Sequence, residues 1–355
     1  MKNNLERLRK QIDSLDAKLV DLINQRAKIS QQIGKFKAQK KYPVYSPERE
    51  SKIIRRLRHL NKGPINSNSL EAIYREIMSS SLSLEKSMRI SYLGPEATFT
   101  HLASLKKFGS SVKYLPAHTI SDVFINVEQD LADYGVVPVE NSIEGAINHT
   151  LDMLVDSSLS ICAQIKLSVS HNLLSRYKLP QIKKIYSNPQ VFGQCRFWLR
   201  ANLPHAELIE VSSTSRAAEI AAKEKNSACI ASRLAGEVYK LALVAASIED
   251  TKHNITRFLV VGKNESGATG KDKTSIAFSI KDKVGALQEM LAPFKKYKIN
   301  LTKIESRPSK RKAWDYYFFI DLEGHMRDKN VKSAVDALSR QATYLRVLGS
   351  YPSID

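Results

Sequence analysis

Two cations stand in an apolar helical stripe. Leu5, Leu8, Ile12, Leu15, Leu19, Leu22, Arg26, Ile29, Ile33 and Phe36 recur at intervals of three and four, the pattern of a long helix with one buried face. Arg26 lies inside that stripe, where a charge is costly unless an anion pairs with it. Lys37 lies about 20° further round the helix and about 16 Å along it. Two long cationic side chains so placed can converge on an anion; an internal salt bridge or a register-setting polar residue is the alternative. A later segment repeats the anomaly. Ser81 interrupts the apolar series Leu70, Ile73, Ile77 and Leu84, and Glu85 follows one turn on. A second group of polar residues, Asn141-Ser142, Ser187-Asn188 and Ser213-Thr214-Ser215, sits where short apolar runs give way to helices. Such junctions bind anions in α/β folds, and each is equally an ordinary helix N-cap.

Three kinds of segment must position these residues. Residues 1–88 read as helix throughout. Pro43 stops the first helix, Ser46-Pro47 caps and opens a second, Gly63-Pro64 ends it, and a third spans Asn68 to Lys86. Residues 89–263 alternate strands (Arg89–Leu93, Val112–Leu115, Tyr134–Val139, Lys184–Ser187, Glu207–Val211, Ala228–Ala231) with helices, which implies an α/β domain with a mostly parallel sheet, whole or split into two lobes around a cleft. Asn264 to Lys273 is a polar linker. Residues 274–355 read βαββαβ, the ferredoxin-like order.

Composition narrows the partners. No apolar run approaches the roughly 20 residues of a membrane span, and Met1 to Lys10 lacks a signal peptide's apolar core. Cys162, Cys195 and Cys229 are odd in number and far apart, which suits a reducing cytoplasm. Neither they nor the 8 histidines have metal-ligand spacing, so no metal and no cofactor is expected. The net charge of +19 is uneven, with 19 Lys+Arg against 9 Asp+Glu in residues 1–88. That imbalance suggests an anionic partner, or only a solvated basic surface. No helix-turn-helix with a separate recognition helix is present, so a small multivalent anion is favoured over nucleic acid.

LRKQID (Leu8–Asp13), NQRAKI (Asn24–Ile29), GKFK (Gly34–Lys37), SPERE (Ser46–Glu50) and REIMSSSLSLE (Arg75–Glu85) together resemble the all-helical, intertwined-dimer chorismate mutases. The resemblance implies that Arg9, Arg26, Lys37, Arg49 and Ser81 bind chorismate. It gives Glu50 the ring hydroxyl, and it brings Lys37 and Glu85 to the ether oxygen. Ser46 stands where several relatives have Asp. Arg9 lies about 26 Å from Arg26 along one helix. Chorismate cannot span that distance, so an Arg9 serving the site comes from a second chain of a homodimer or higher oligomer.

YLGPEATFTH (Tyr92–His101), GVVPVENSIEG (Gly135–Gly145), TLD (Thr150–Asp152), YSNPQVFGQC (Tyr186–Cys195), STSRAAEIAA (Ser213–Ala222) and IEDTKHNITRF (Ile248–Phe258) resemble prephenate dehydratases, which have a two-lobed, periplasmic-binding-protein-like fold. This implies Thr256 as catalytic donor, with Arg257, Asn141, Ser142, Gln190 and Thr214 binding and orienting prephenate. VGALQEML (Val284–Leu291) and IESRP (Ile304–Pro308) resemble the phenylalanine-binding ACT domain, which implies an effector site at Gly285, Ala286, Leu287, Glu305, Ser306, Arg307 and Pro308. The expectation is a multidomain cytoplasmic enzyme: mutase (1–88), dehydratase (89–263) and L-phenylalanine-sensing domain (274–355). The alternatives are a dehydratase with a non-catalytic helical domain, or a non-catalytic amino-acid sensor.

Overall fold

The computed structural model describes residues 2–40, 42–281, 283–309 and 316–353. The basic run Lys310-Arg311-Lys312 lies outside them. One compact unit takes the chain up to Arg89 together with Lys107–Lys113; a second takes Ile90–Lys106 and everything from Tyr114.

The first unit is helical. α1 (Lys2–Lys40) runs unbroken until the approach to Pro43. α2 (Pro47–Leu60) opens with the Ser46 side chain accepting the Arg49 N–H. α3 (Ser67–Glu85) opens in the same way on Asn66. Gly34 lets α3 close on α1, since a Cβ there would fall 2.9 Å from Glu85 Cγ and 3.0 Å from Glu85 Cα. The apolar stripe of α1 stays uncovered within one chain. Leu8, Leu15, Leu22 and Ile29 are 47, 62, 60 and 57% exposed.

The second unit holds three sheets. β1 (Arg89–Leu93), α4 (Phe99–Phe108), β2 (Lys113–Ala117), α5 (Ile120–Glu128), β3 (Tyr134–Asn141), β4 (Gly145–Ala146), α6 (Asn148–Asp156) and β5 (Ser160–Ser168) build the first lobe. The chain then crosses to the second lobe: β6 (Asn172–Ser175), β7 (Lys184–Ser187), α7 (Pro189–Gln194), α8 (Arg196–Asn202), β8 (Glu207–Glu210), α9 (Thr214–Ala221), β9 (Ser227–Ala231), α10 (Arg233–Tyr239) and β10 (Ala242–Ala245). It returns as β11 (Ile255–Gly262) into the first sheet, whose order is β2-β1-β3-β11-β5; the second is β10-β6-β9-β7-β8. The expected parallel sheet is therefore two mixed ones. β1 and β3 are parallel, but β11 runs antiparallel to β3 and β5, and β6 antiparallel to β9 and β10. β11 reaches its antiparallel partners by the return between lobes, which leaves no βαβ signature in sequence.

The two crossovers are bonded to each other. Val169 N–H donates to Asn254 O and Ile248 N–H to His171 O, each at 2.8 Å. The third sheet comprises β12 (Asp272–Ser279), α11 (Ala286–Lys296), β13 (Leu301–Pro308), β14 (Tyr316–Glu323), α12 (Lys329–Ser339) and β15 (Tyr344–Pro352), in the order β13-β14-β12-β15 of a ferredoxin-like fold. Its outer residues Ala277, Tyr317, Phe319, Leu348 and Tyr351 share one hydrophobic core with Val137, Leu151, Leu154 and Leu259 of the first lobe. The linker expected between them ends in an ordered turn, in which the Asp272 carboxylate accepts from Thr269 N–H, Thr269 Oγ and Gly270 N–H.

Candidate active sites

In the helical unit, α1 and α3 bring the anomalous residues together. Arg26 Nη1 donates to Ser81 Oγ at 2.5 Å, and Ser81 Oγ donates to Ile77 O at 2.8 Å. Lys37 Nζ donates to Glu85 Oε2 at 3.0 Å and to Val44 O at 2.7 Å. An ammonium group has three hydrogens, so one is left without a partner among the described residues. Glu50, on α2, accepts from Tyr45 OH at 2.7 Å. Arg49 is exposed beside it, while Ser46 is occupied as the helix cap. Arg9 lies on the exposed part of α1, with no bond to this cluster among the described residues.

In the second unit, the β3–β11 pairing sets the second site. Thr256 is opposite Asn141 and Arg257 opposite Glu140. Successive residues of a strand face opposite ways, so the two pairs serve opposite faces of the sheet. Asn141 Oδ1 accepts the Ile143 and Glu144 N–H groups at 2.9 and 3.1 Å. Its amide nitrogen therefore faces the other way, donating to Thr256 Oγ1 at 2.8 Å and Asn254 Oδ1 at 2.7 Å. Asn254 passes the chain on to Gln194 Oε1 (3.0 Å), which also takes His171 Nε2–H (2.8 Å), while Gln194 Nε2 donates to Glu144 (3.0 Å). Ser142 ties the same turn to the crossover, donating to His253 O and accepting Ile255 N–H. Gln190 is exposed at the start of α7 and Thr214 buried at the start of α9; among the described residues neither bonds to this cluster. Asn254, Gln194, His171 and Glu144 are not among the expected site residues; Asn254, Gln194 and Glu144 fall within quoted motifs, while His171 lies in none.

The structure does not bring Arg257 to Thr256. Its guanidinium enters the contact with the third sheet, donating to Asp321 Oδ2 at 2.5 Å, Tyr351 OH at 2.7 Å and Glu140 Oε1 at 3.3 Å. Burial opposes its charge, but Tyr351, Asp321 and Glu140 outweigh that and raise its pKa above the ordinary value. Burial likewise opposes ionisation of Glu140, yet Lys303 and Arg257 hold its carboxyl below the ordinary range. Lys303 lies on β13 and pairs with Glu140. Arg307, on the same strand, pairs with Asp152 of α6 at 3.0 Å. Gly285 opens α11 at φ 79°, a left-handed backbone that favours glycine. Leu287 is exposed, Ala286 is buried, and Glu305, Ser306 and Pro308 lie along β13.

Comparison with known proteins places each part. Residues 8–86 match the type II chorismate mutases, 90–266 the prephenate dehydratases and 274–340 the ACT domains. A bifunctional chorismate mutase/prephenate dehydratase of Aquifex aeolicus is 48% identical over 98% of both chains. One from Pseudomonas aeruginosa is 44% identical over 99% of this chain and 98% of its own. The chain belongs to the bifunctional chorismate mutase/prephenate dehydratase family. It is thus an isomerase and a lyase on one polypeptide. The crystal structure of a prephenate dehydratase in complex with L-Phe from Arthrobacter aurescens, 32% identical, superposes on 75% of this chain and 90% of its own with a TM-score of 0.70.

Two predictions follow from these contacts. In Gly34→Ala the new methyl pushes Glu85 away from Lys37, so thermal unfolding of the purified variant should show about 1–3 kcal/mol of destabilisation. Conversion of chorismate should slow while dehydration of added prephenate holds at the parental rate. His171 has no partner for Nδ1 among the described residues, and burial lowers its pKa below the ordinary 6.5 against the opposing pull of Gln194 and Glu249. The unfolded chain then binds the proton more readily than the folded one, so stability is full above the ordinary value and falls below it. The melting temperature of the dehydratase unit should drop between about pH 7 and about pH 5. His171→Asn should make that slope shallower; buried His101, shifted the same way, keeps it from vanishing.

Proposed function

We propose that the helical unit rearranges chorismate to prephenate, and that the second unit converts prephenate to phenylpyruvate, carbon dioxide and water under feedback control by L-phenylalanine. The rearrangement is intramolecular. Arg26 and Ser81 hold the dianion in a compact conformer, Arg49 adds positive charge, and Glu50 receives the ring hydroxyl. Lys37 meets the charge growing on the ether oxygen with its remaining N–H. Glu85, as its ion-pair partner, aims that ammonium and need not itself donate.

The dehydratase reading rests on the hydrogen-bond direction at Thr256. Asn141 donates to its oxygen, so the hydroxyl hydrogen is directed elsewhere, towards the departing hydroxide of prephenate. A threonine is too weak an acid to surrender its proton outright. A hydrogen bond suffices, because aromatisation supplies the driving force as carbon dioxide leaves. Asn254, Gln194 and His171 fix Asn141 in the required orientation.

Feedback has a physical route in the ties to the third sheet. β13, which carries the expected effector residues Glu305 to Pro308, also carries Lys303 and Arg307, bonded to Glu140 and Asp152. Asp321 on β14 holds Arg257. Phenylalanine bound at Gly285 to Leu287 and at Glu305 to Pro308 acts through these ties on the strand pair that presents Asn141 and Thr256. The uncovered stripe of α1 and the distant Arg9 support a homodimer in which Arg9 completes the partner's mutase site. Cys162, Cys195 and Cys229 are buried and form no disulfide, which accords with a cytoplasmic setting.

The activities should separate. Arg26→Ala is expected to abolish prephenate formation and spare dehydration of added prephenate. Thr256→Val should do the reverse, with prephenate still bound. Asp321→Asn should weaken inhibition by phenylalanine, measured as phenylpyruvate formed from prephenate; unchanged inhibition would place the coupling elsewhere. For the dimer, Arg9→Ala and Arg26→Ala chains, each inactive as a mutase, are unfolded together and refolded. Random pairing restores one complete site in each mixed dimer, about a quarter of parental mutase activity. A mixture as inactive as its components would put Arg9 outside the site.

A further inference from the structure

The dehydratase sequence lends a segment to the helical unit. Lys107, near the end of α4, places Nζ 2.9 Å from Glu50 Oε2, and both side chains are more than four-fifths buried. Tyr45 stands on the same carboxylate oxygen, its ring packed on Phe108 at 5.1 Å and its face towards the Lys107 ammonium at 5.9 Å. The next residues are fixed to α3. A Cβ on Gly109 would fall 2.5 Å from Ser79 Cβ. Ser110 donates to Glu76 through N–H (3.0 Å) and Oγ (2.6 Å), and Ser111 N–H donates to Ser79 Oγ (3.0 Å). Residues 107–111 therefore join α2, which carries Glu50, to the turns of α3 just before Ser81 and Glu85.

We infer that Lys107 is a positioning residue of the mutase site that acts through Glu50, so that the functional mutase extends into the dehydratase sequence. This rests on the reading of Glu50 as acceptor of the ring hydroxyl. A carboxylate used in that way meets a substrate carrying two negative charges. Unbalanced, it repels that substrate; with Lys107 on one oxygen, the repulsion is offset and the carboxylate is held at a fixed angle. Tyr45 has the same geometric effect without the charge.

The test uses the full-length chain with Lys107→Met, Lys107→Arg, Glu50→Gln and the Lys107→Met/Glu50→Gln double variant, with mutase kcat and KM measured for each. Lys107→Met should lower kcat/KM for chorismate about tenfold, mainly through KM. Lys107→Arg should recover most of it, the double variant should be no worse than Glu50→Gln, and dehydration of added prephenate should stay at the parental rate. A purely structural Lys107 would show no charge rescue and no coupling to Glu50. An impaired Glu50→Gln beside a parent-like Lys107→Met, or losses that simply add in the double variant, would overturn the inference alone. A parent-like Glu50→Gln would overturn the reading of Glu50 and the inference with it. Should Lys107→Met fail to fold, Tyr45→Phe keeps the ring contact and removes the bond to Glu50. A raised KM for chorismate there supports the positioned carboxylate, and a parental KM counts against it.

Discussion

The register of β11 on β3 governs the dehydratase. It sets Thr256 against Asn141 and, one residue on, Arg257 against Glu140. One strand pair thereby presents neutral hydrogen-bonding groups on one face and a buried ion pair on the other. A slip of a single residue would exchange them, turning a charged arginine towards the Asn141–Asn254–Gln194 network and a threonine into the ionic contact with the third sheet. The hydrogen-bond network on one face and the ionic contact on the other are therefore set by one pairing.

In the helical unit the controlling constraint is charge within an apolar bundle. Arg26 and Lys37 are tolerable there because each already has an anionic or polar partner on α3. Gly34 permits the approach that makes the Lys37–Glu85 pair possible. The same helix leaves its apolar stripe open in a single chain. In proteins most helical stability comes from packing of the apolar face rather than from intrinsic propensity.

Much of this was legible in sequence because it is local. Periodicity predicts the three helices, Ser46-Pro47 the cap of α2, and strand–helix alternation two thirds of the architecture. Ser81 and Glu85 betray themselves as polar residues in an apolar series. Asn254, Gln194 and His171 do not, since they are assembled by the two crossovers from segments far apart in the chain. The face taken by Arg257 was within reach. It adjoins Thr256 in a run, Ile255 to Gly262, whose apolar residues suit a buried strand, and the two-residue period forbids neighbours from sharing a side. A motif treated as one unit hides that alternation. Lys107 carried no signal, since a lysine on an amphipathic helix usually faces solvent.

The third sheet is more than an attached sensor, and the reason is electrostatic. Arg257 is 6% exposed, with Glu140 its charged partner on the first lobe; Asp321 and Tyr351 come from the third sheet. A buried charge stripped of its partners is far more costly than one never buried. The sheet holding Thr256 thus depends for its ionic balance on residues supplied by the third sheet. Any rearrangement of β13 and β14 that loosens Lys303 or Asp321 must be answered at Glu140 and Arg257, the immediate neighbours of Asn141 and Thr256. No long relay separates the two, since the residues of the third sheet that touch Arg257 and Glu140 lie one strand-face away from Thr256 and Asn141.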